Sequence, residues 1–207
     1  MSTTVTPRPM PAPVPAILPE WIPSPLYRLT VEQYEAMADA GIFGERDRVH
    51  LINGCLVEKM TLHPPHAIAD DLCGEALRLV LPPGWYIRPG KPVRIPSLAS
   101  MPEPDRSVAR GSIRDFGGRH PGPDDLALVV EVSDSSLDED RKMAEIYGKA
   151  GIPVYWIVNL IDSQVEVYSD PDPSGYQTHE VLAPGHVLSV KVDGVEVGEI
   201  PVADILP

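Results

Sequence analysis

Three side chains near the middle of the chain are of the right types to do chemistry together. Asp105 follows Pro104, Glu131 sits inside the apolar run Leu-Ala-Leu-Val-Val-Glu-Val at 126–132, and Lys142 closes the charged run Asp-Glu-Asp-Arg-Lys at 138–142. Burying a carboxylate is costly unless it is paired or binds a metal, so Glu131 is the residue that most needs a partner. A hard cation such as Mg2+ takes oxygen ligands, usually one or two carboxylates completed by water. An acid at the start of one strand and another in the neighbouring strand can meet at one such ion, with the Val132 carbonyl as a third ligand. A nearby lysine can hold or deprotonate the attacking water, or steady an anionic transition state. Metal, water and a scissile phosphate together give phosphodiester hydrolysis.

Spacing within the strand decides where that lysine must come from. Residues i and i+2 of a strand share a face, so a lysine two positions after Glu131 would point into the site. Serine occupies that position, Ser133, and Lys142 on the following helix is the substitute.

The elements around these residues follow from pattern. Thr30-x-x-Gln33 is a capping box that opens a first helix, with Val31, Tyr34, Met37 and Ala38 as its apolar face and Gly41 as its stop. Residues 48–52 and 55–60 read as strands around Asn53-Gly54, a strong hairpin signal. A second helix is expected over 66–81, with Ile68, Leu72, Cys73, Ala76, Leu79 and Val80 inward. Residues 85–88 and 93–95 read as strand pieces broken by Pro89-Gly90. Residues 110–125 are Gly, Pro and charge, hence a surface loop. The run 126–132 lacks polar alternation before Glu131, as expected at a sheet centre. A helix over 137–150 follows, its first turn favoured by Asp134 and Asp138 as capping acids. A hairpin of 154–159 and 164–168 comes next, then short strands at 177–182, 187–190 and 195–197. The fold class is therefore α/β (α+β).

Length and composition set the remaining bounds. A chain of 207 residues with 43% hydrophobic content fits one domain with an appendage. Eight prolines within residues 1–25 make that segment an extended or disordered arm, and the domain proper is expected over 26–207. No apolar run approaches the ~20 residues of a membrane span, and no signal peptide is evident, so a cytoplasmic protein without membrane contact is expected. Cys55 and Cys73 lie in apolar patterns without a CxxC, which suits reduced core thiols. The net charge is −13, from 17 Lys+Arg and 30 Asp+Glu, and such a balance disfavours non-specific binding to phosphates. A nucleic-acid partner requires a local basic patch. Arg88, Lys91, Arg94, Arg106, Arg110, Arg114 and Arg119 are its candidates, and ordinary solvated surface is the simpler reading. His63-Pro-Pro-His66 lacks a third zinc ligand, and His66 is better placed as a helix-start or site-edge residue.

The ordered motifs resemble a known family. Thr30-Val-Glu-Gln-Tyr34, Arg48-Val-His-Leu-Ile-Asn-Gly54, His66, Pro102-Glu-Pro-Asp105, Val129-Val-Glu-Val-Ser-Asp-Ser-Ser136, Asp140-Arg-Lys142 and the run from Tyr147 to Asn159 together resemble the Uma-type restriction-endonuclease family of bacteria, within the PD-(D/E)xK nuclease superfamily. The resemblance implies a restriction-endonuclease-like mixed β-sheet flanked by helices, with extra β-hairpins, a divalent-metal site for Mg2+ or Mn2+, DNA as the partner, and often a homodimer. It places Asp105 and Glu131 as metal carboxylates. Lys142 becomes the displaced catalytic lysine, five residues before Tyr147 where about four is the family spacing. The family's glutamate in the hairpin strand is replaced here by His50. That exchange leaves two outcomes open: a ring nitrogen ligating a softer ion such as Mn2+ or Zn2+, or a weakened site. The expected function is a metal-dependent endonuclease. A catalytically inactive binding or assembly module on the same fold, and a hydrolase of small phosphodiesters, are the alternatives.

Overall fold

A computed structural model of the protein describes residues 26–44, 47–59 and 63–207. The proline-rich arm lies outside the described residues. Six strands form the central sheet: β3 (Trp85–Pro89), β4 (Arg106–Arg110), β5 (Leu126–Ser133), β6 (Val154–Asn159), β7 (Gln164–Asp172) and β8 (Gly175–Leu182), in that spatial order. The preceding hairpin, β1 (Val49–Ile52) with β2 (Cys55–Glu58), and the following one, β9 (Val187–Val192) with β10 (Val195–Pro201), each pair separately. Every pairing in the large sheet is antiparallel except β5 with β6. A parallel pair needs a crossover, and α3 (Leu137–Lys149) supplies it.

The alternation of β5 divides the core in two. Leu128, Val130 and Val132 face one side, packed with Trp156 and Val158 against α2 (Pro64–Val80) and the β9–β10 hairpin, through Ala69, Cys73, Leu77, Leu188 and Val190. Val129 faces the other side with Tyr155 and Ile157, beneath Ala144, Ile146 and Tyr147 of α3. Glu131 shares the parity of Val129 and so lies on the α3 side.

The helix α1 (Val31–Asp39) starts as expected, with Thr30 and Gln33 completing the capping box. Three expectations need correction. α2 begins two residues early, because Pro64 and Pro65 occupy its first turn, where a missing N–H leaves no bond unmade. Its buried face is His66, Ala69, Cys73, Gly74 and Leu77, while Ile68 and Leu79 are 51% and 87% exposed; the polar His66 and Asp70 turn toward β4 and rotate the apolar stripe. Residues 93–95 are not a strand: Val93 and Ile95 are buried in an irregular connection with one isolated bridge, Ile95 to Ser100. Asp134 and Asp138 are not the cap of α3, which is Ser136 without a side-chain bond. Asp138, Glu139 and Asp140 instead occupy the first turn, where the helix dipole favours them.

The crossover helix is pressed hard onto the far end of the sheet. A Cβ on Gly148 would lie 2.7 Å from the Tyr176 nitrogen and 2.8 Å from the Gly175 carbonyl carbon, and backbone cannot move aside as a side chain can. Gly148→Ala is therefore expected to lower stability by about 1–3 kcal/mol through overpacking, read as a fall in the urea midpoint with an unchanged slope.

Candidate active site

Asp105 stands one residue before β4, whose Arg106 pairs with Val130. Beyond that pair the ladder is continued by side chains. The Val132 N–H donates to Asp105 Oδ2 at 2.7 Å, and the Asp105 N–H donates to Glu131 Oε2 at 3.0 Å. Each acid thus caps the backbone of the other's strand, and the two carboxylates that the sequence spacing paired are brought together. Glu131 Oε1 accepts from the Tyr147 hydroxyl of α3 at 3.0 Å. His66 Nε2, on the first turn of α2, lies 3.1 Å from Asp105 Oδ2. One turn further along α2, Asp70 accepts from Arg106 at 2.8 Å, so the same helix face anchors both the site acid and its neighbour in sequence.

A third acid joins them. Asp140, in the first turn of α3, accepts from the Ser136 hydroxyl at 2.7 Å and lines the same cleft as Asp105 and Glu131. Burial first, and then the charges of Asp105 and Asp140, push the Glu131 carboxyl well above the usual carboxylate range. Burial, aided by the charge of Asp105, likewise pushes Asp140 up to about 6 against the Ser136 and Ser133 hydroxyls. Among the described residues no Lys or Arg forms an ion pair with Asp105, Glu131 or Asp140. His66 is lowered by burial, but the hydrogen bond and charge of Asp105 outweigh this and hold it above the ordinary imidazole value.

Lys142 and His50 border the same cleft, which has a volume of about 970 Å³. Lys142 is exposed and makes no ion pair among the described residues. His50 is partly buried on β1, and its Nδ1 has no partner. Burial, reinforced by the charge of Lys59, lowers its pKa to about 4, so it is neutral at pH 7. Among the described residues no three His, Cys, Asp or Glu side chains form a ready-made metal cage. The donor set fits a hard cation that takes one or two carboxylates and keeps its waters, since among the described residues no Lys or Arg pairs with these acids.

The helix turn carrying Asp140 and Lys142 is itself held by the residue between them. Arg141 donates to the fully buried Glu166 of β7 at 3.1 and 2.6 Å. Tyr168 and Asn159 also donate to Glu166, at 2.9 and 3.2 Å. Asp140 was hidden in sequence by the charged run around it. Glu166 sits in an apolar-polar alternation that reads as solvent-facing, and only the Val-Glu-Val context hints at its burial.

Five of the seven basic-patch candidates are held within the protein. Arg94 pairs with Glu32 and Glu35, Arg106 with Asp70 and Asp71, Arg110 with Asp193, and Arg119 with Asp125. Arg88 is buried, with Nη1 donating to the Pro92 carbonyl at 3.3 Å.

A mixed sheet with one parallel crossover, flanking helices and buried acids at the ends of β4 and β5 defines a restriction-endonuclease-like protein. The family model described as "Uma2: Putative restriction endonuclease" matches residues 31–200, and the chain belongs to this family. The chain is similar in fold to a crystal structure from Anabaena variabilis ATCC 29413 described as a "putative nuclease belonging to DUF820". That likeness has a TM-score of 0.63 and 16% identity, and covers 86% of this chain and 97% of the other. No curated protein matches the chain significantly. Among the described residues no helix is long and apolar enough to cross a membrane.

The raised acid gives a signed prediction for the protein without metal. Below pH 3.8 Asp140 is protonated whether folded or unfolded. As pH rises through about 6 the folded state must ionise a buried acid, so stability is lost across that window, by about 3 kcal/mol in the limit. In EDTA, Asp140→Asn is expected to be more stable than wild type at pH 7–8 by about 1–3 kcal/mol, with the difference closing toward pH 4. Denaturant titrations of both proteins across pH measure it; equal stabilities at pH 8 would count against the assignment. Arg141→Ala, which strands the buried Glu166, is expected to lose about 2–4 kcal/mol at neutral pH.

Proposed function

We propose that the protein is a metal-dependent hydrolase of phosphodiester bonds in nucleic acid, with Asp105 and Glu131 as its metal carboxylates. Membership of a restriction-endonuclease family supports nuclease chemistry. The observation that carries the metal site is the clasp between Asp105 and Glu131, two carboxylates locked together that pair with no Lys or Arg among the described residues. A divalent ion held there, Mg2+ or Mn2+, would polarise a phosphoryl oxygen and lower the pKa of a bound water.

The chain's own groups prepare that site. Backbone N–H bonds fix the two carboxylates in place. Tyr147 aims one oxygen of Glu131, and His66 aims one oxygen of Asp105, the support that ligands need from the groups behind them. Asp140 adds a third acid to the cleft and accepts a proton from water more readily than an ordinary carboxylate. Lys142, from the second turn of α3, steadies the attacking water or the charge that grows on the phosphoryl oxygens. His50, neutral and with a free ring nitrogen, and the Val132 carbonyl complete the set of possible ligands around the cleft.

The test is cleavage of labelled oligonucleotides with Mg2+ or Mn2+, with Glu131→Gln as the probe. That variant keeps the shape and the acceptor for the Asp105 N–H, and removes the charge. Its cleavage rate is expected to fall about 100-fold or more, with weakened Mn2+ binding by titration calorimetry and a retained fold. A wild-type protein that cuts no nucleic acid and binds neither ion would overturn the reading.

A further inference from the structure

We infer that this site takes a flexible single strand of nucleic acid, and not a duplex. The inference rests on the phosphodiesterase reading above and narrows its substrate. Two independent observations carry it. The first is the balance of charge where a substrate must lie. Eight acidic against four cationic side chains line the cleft among the described residues. Of the four cations, Lys59 is paired with Glu103 and Lys149 with Glu145. Arg48 and Lys142 remain to meet phosphates. Elsewhere Arg94, Arg106, Arg110, Arg119 and Arg141 are bound to the protein's own carboxylates. A rigid duplex presents two closely spaced rows of phosphates and is held by neutralising many of them at once. This surface offers that duplex net repulsion.

The second observation is the chemistry of the cleft wall. Beside the carboxylates, the apolar side chains Ile52, Val57, Leu98, Met143 and Ile146 also line the same cavity. A volume of about 970 Å³ is at the upper end of small-ligand sites, enough for a few nucleotides. Bases in a duplex are stacked and hidden, so an apolar wall beside the reacting phosphate gains nothing from one. A single strand can turn a base onto that wall and bury its face there, which is how strands are held without a row of cations. The wall comes from the β1–β2 hairpin, the turn before Ser100 and α3, elements already built around the acids. The elements that hold the acids thus also offer apolar surface to a base of the substrate.

The experiment uses the full chain and an oligonucleotide of about 12 nucleotides, presented single-stranded or annealed to its complement. Binding is measured by fluorescence anisotropy in Ca2+, and cleavage in Mn2+. The single strand is expected to bind, and to be cut, on the order of tenfold or more better than the duplex. Its affinity should fall only gently with salt, with a log–log slope of about −1.4 for two phosphate contacts. Val57→Glu, on the exposed hairpin, is expected to raise KM for the single strand several-fold while changing kcat little. Equal or better cutting of the duplex would overturn this inference and leave the phosphodiesterase reading standing. A steep salt slope of about −5 or beyond would also overturn it, since it would reveal a many-phosphate footprint. Failure of both substrates to be cut in Mn2+ would instead overturn the phosphodiesterase reading, and this inference with it.

Discussion

The structure turns on two backbone N–H bonds. Where β4 runs out, the carboxylate of Asp105 takes the Val132 N–H that the ladder would otherwise leave unmet, and the carboxylate of Glu131 takes the N–H of Asp105. A buried donor left unpaired costs about as much as a lost hydrogen bond, so the end of the sheet needs an acceptor at each position. Carboxylates satisfy that need at the price of bringing two like charges together in a half-dry place. The tension is useful: the fold's requirement for acceptors and the site's requirement for negative charge are met by the same atoms.

That arrangement sets what the neighbouring elements must do. α3 has to cross from β5 to β6 because those two strands are parallel, and it passes over the face that holds Glu131. Tyr147 and Asp140 reach the acids from this one helix, and Lys142 borders their cleft from it. α2 closes the other side, placing His66 and Asp70 one turn apart so that they meet Asp105 and Arg106, consecutive residues of the chain. The Glu166 network then ties the start of α3 to β7, so the turn with Asp140 and Lys142 is held by a buried bond and not by surface contacts alone.

How much of this could be read from residue order depends on contrast. Glu131 was legible because an acid interrupts an unbroken apolar strand, and Asp105 because proline marks the strand's edge. The hairpin at Asn53-Gly54, the capping box at Thr30 and the crossover helix were legible for the same reason: each sets a strong local preference against a different background. Asp140 was not, since it is one acid in the run Asp-Glu-Asp-Arg-Lys and only its position in the helix distinguishes it. The strand at 106–110 was obscured in a related way. Its two arginines look like solvated surface, and Arg106 belongs inside only because Asp70, 36 residues earlier, is there to meet it. Long-range pairing of charges leaves no periodic trace.

The same pairing accounts for the awkward charge. A net −13 argues against a nucleic-acid enzyme less strongly when charge is spent inside the fold, and among the described residues seven of the basic side chains are held in ion pairs. In the cleft, Asp105, Glu131 and Asp140 pair with no Lys or Arg among the described residues. In the absence of metal the cheapest way to relieve such a site is to take up protons, and burial raises the affinity of Glu131 and Asp140 for them. A divalent ion held there, as proposed, would relieve the same charge without neutralising the ligands, and proton and metal would then compete for one feature of the structure. Burial therefore works in both directions: it makes the acids reluctant to ionise without a metal, and it would strengthen the field of a divalent ion held there at a phosphate beside it.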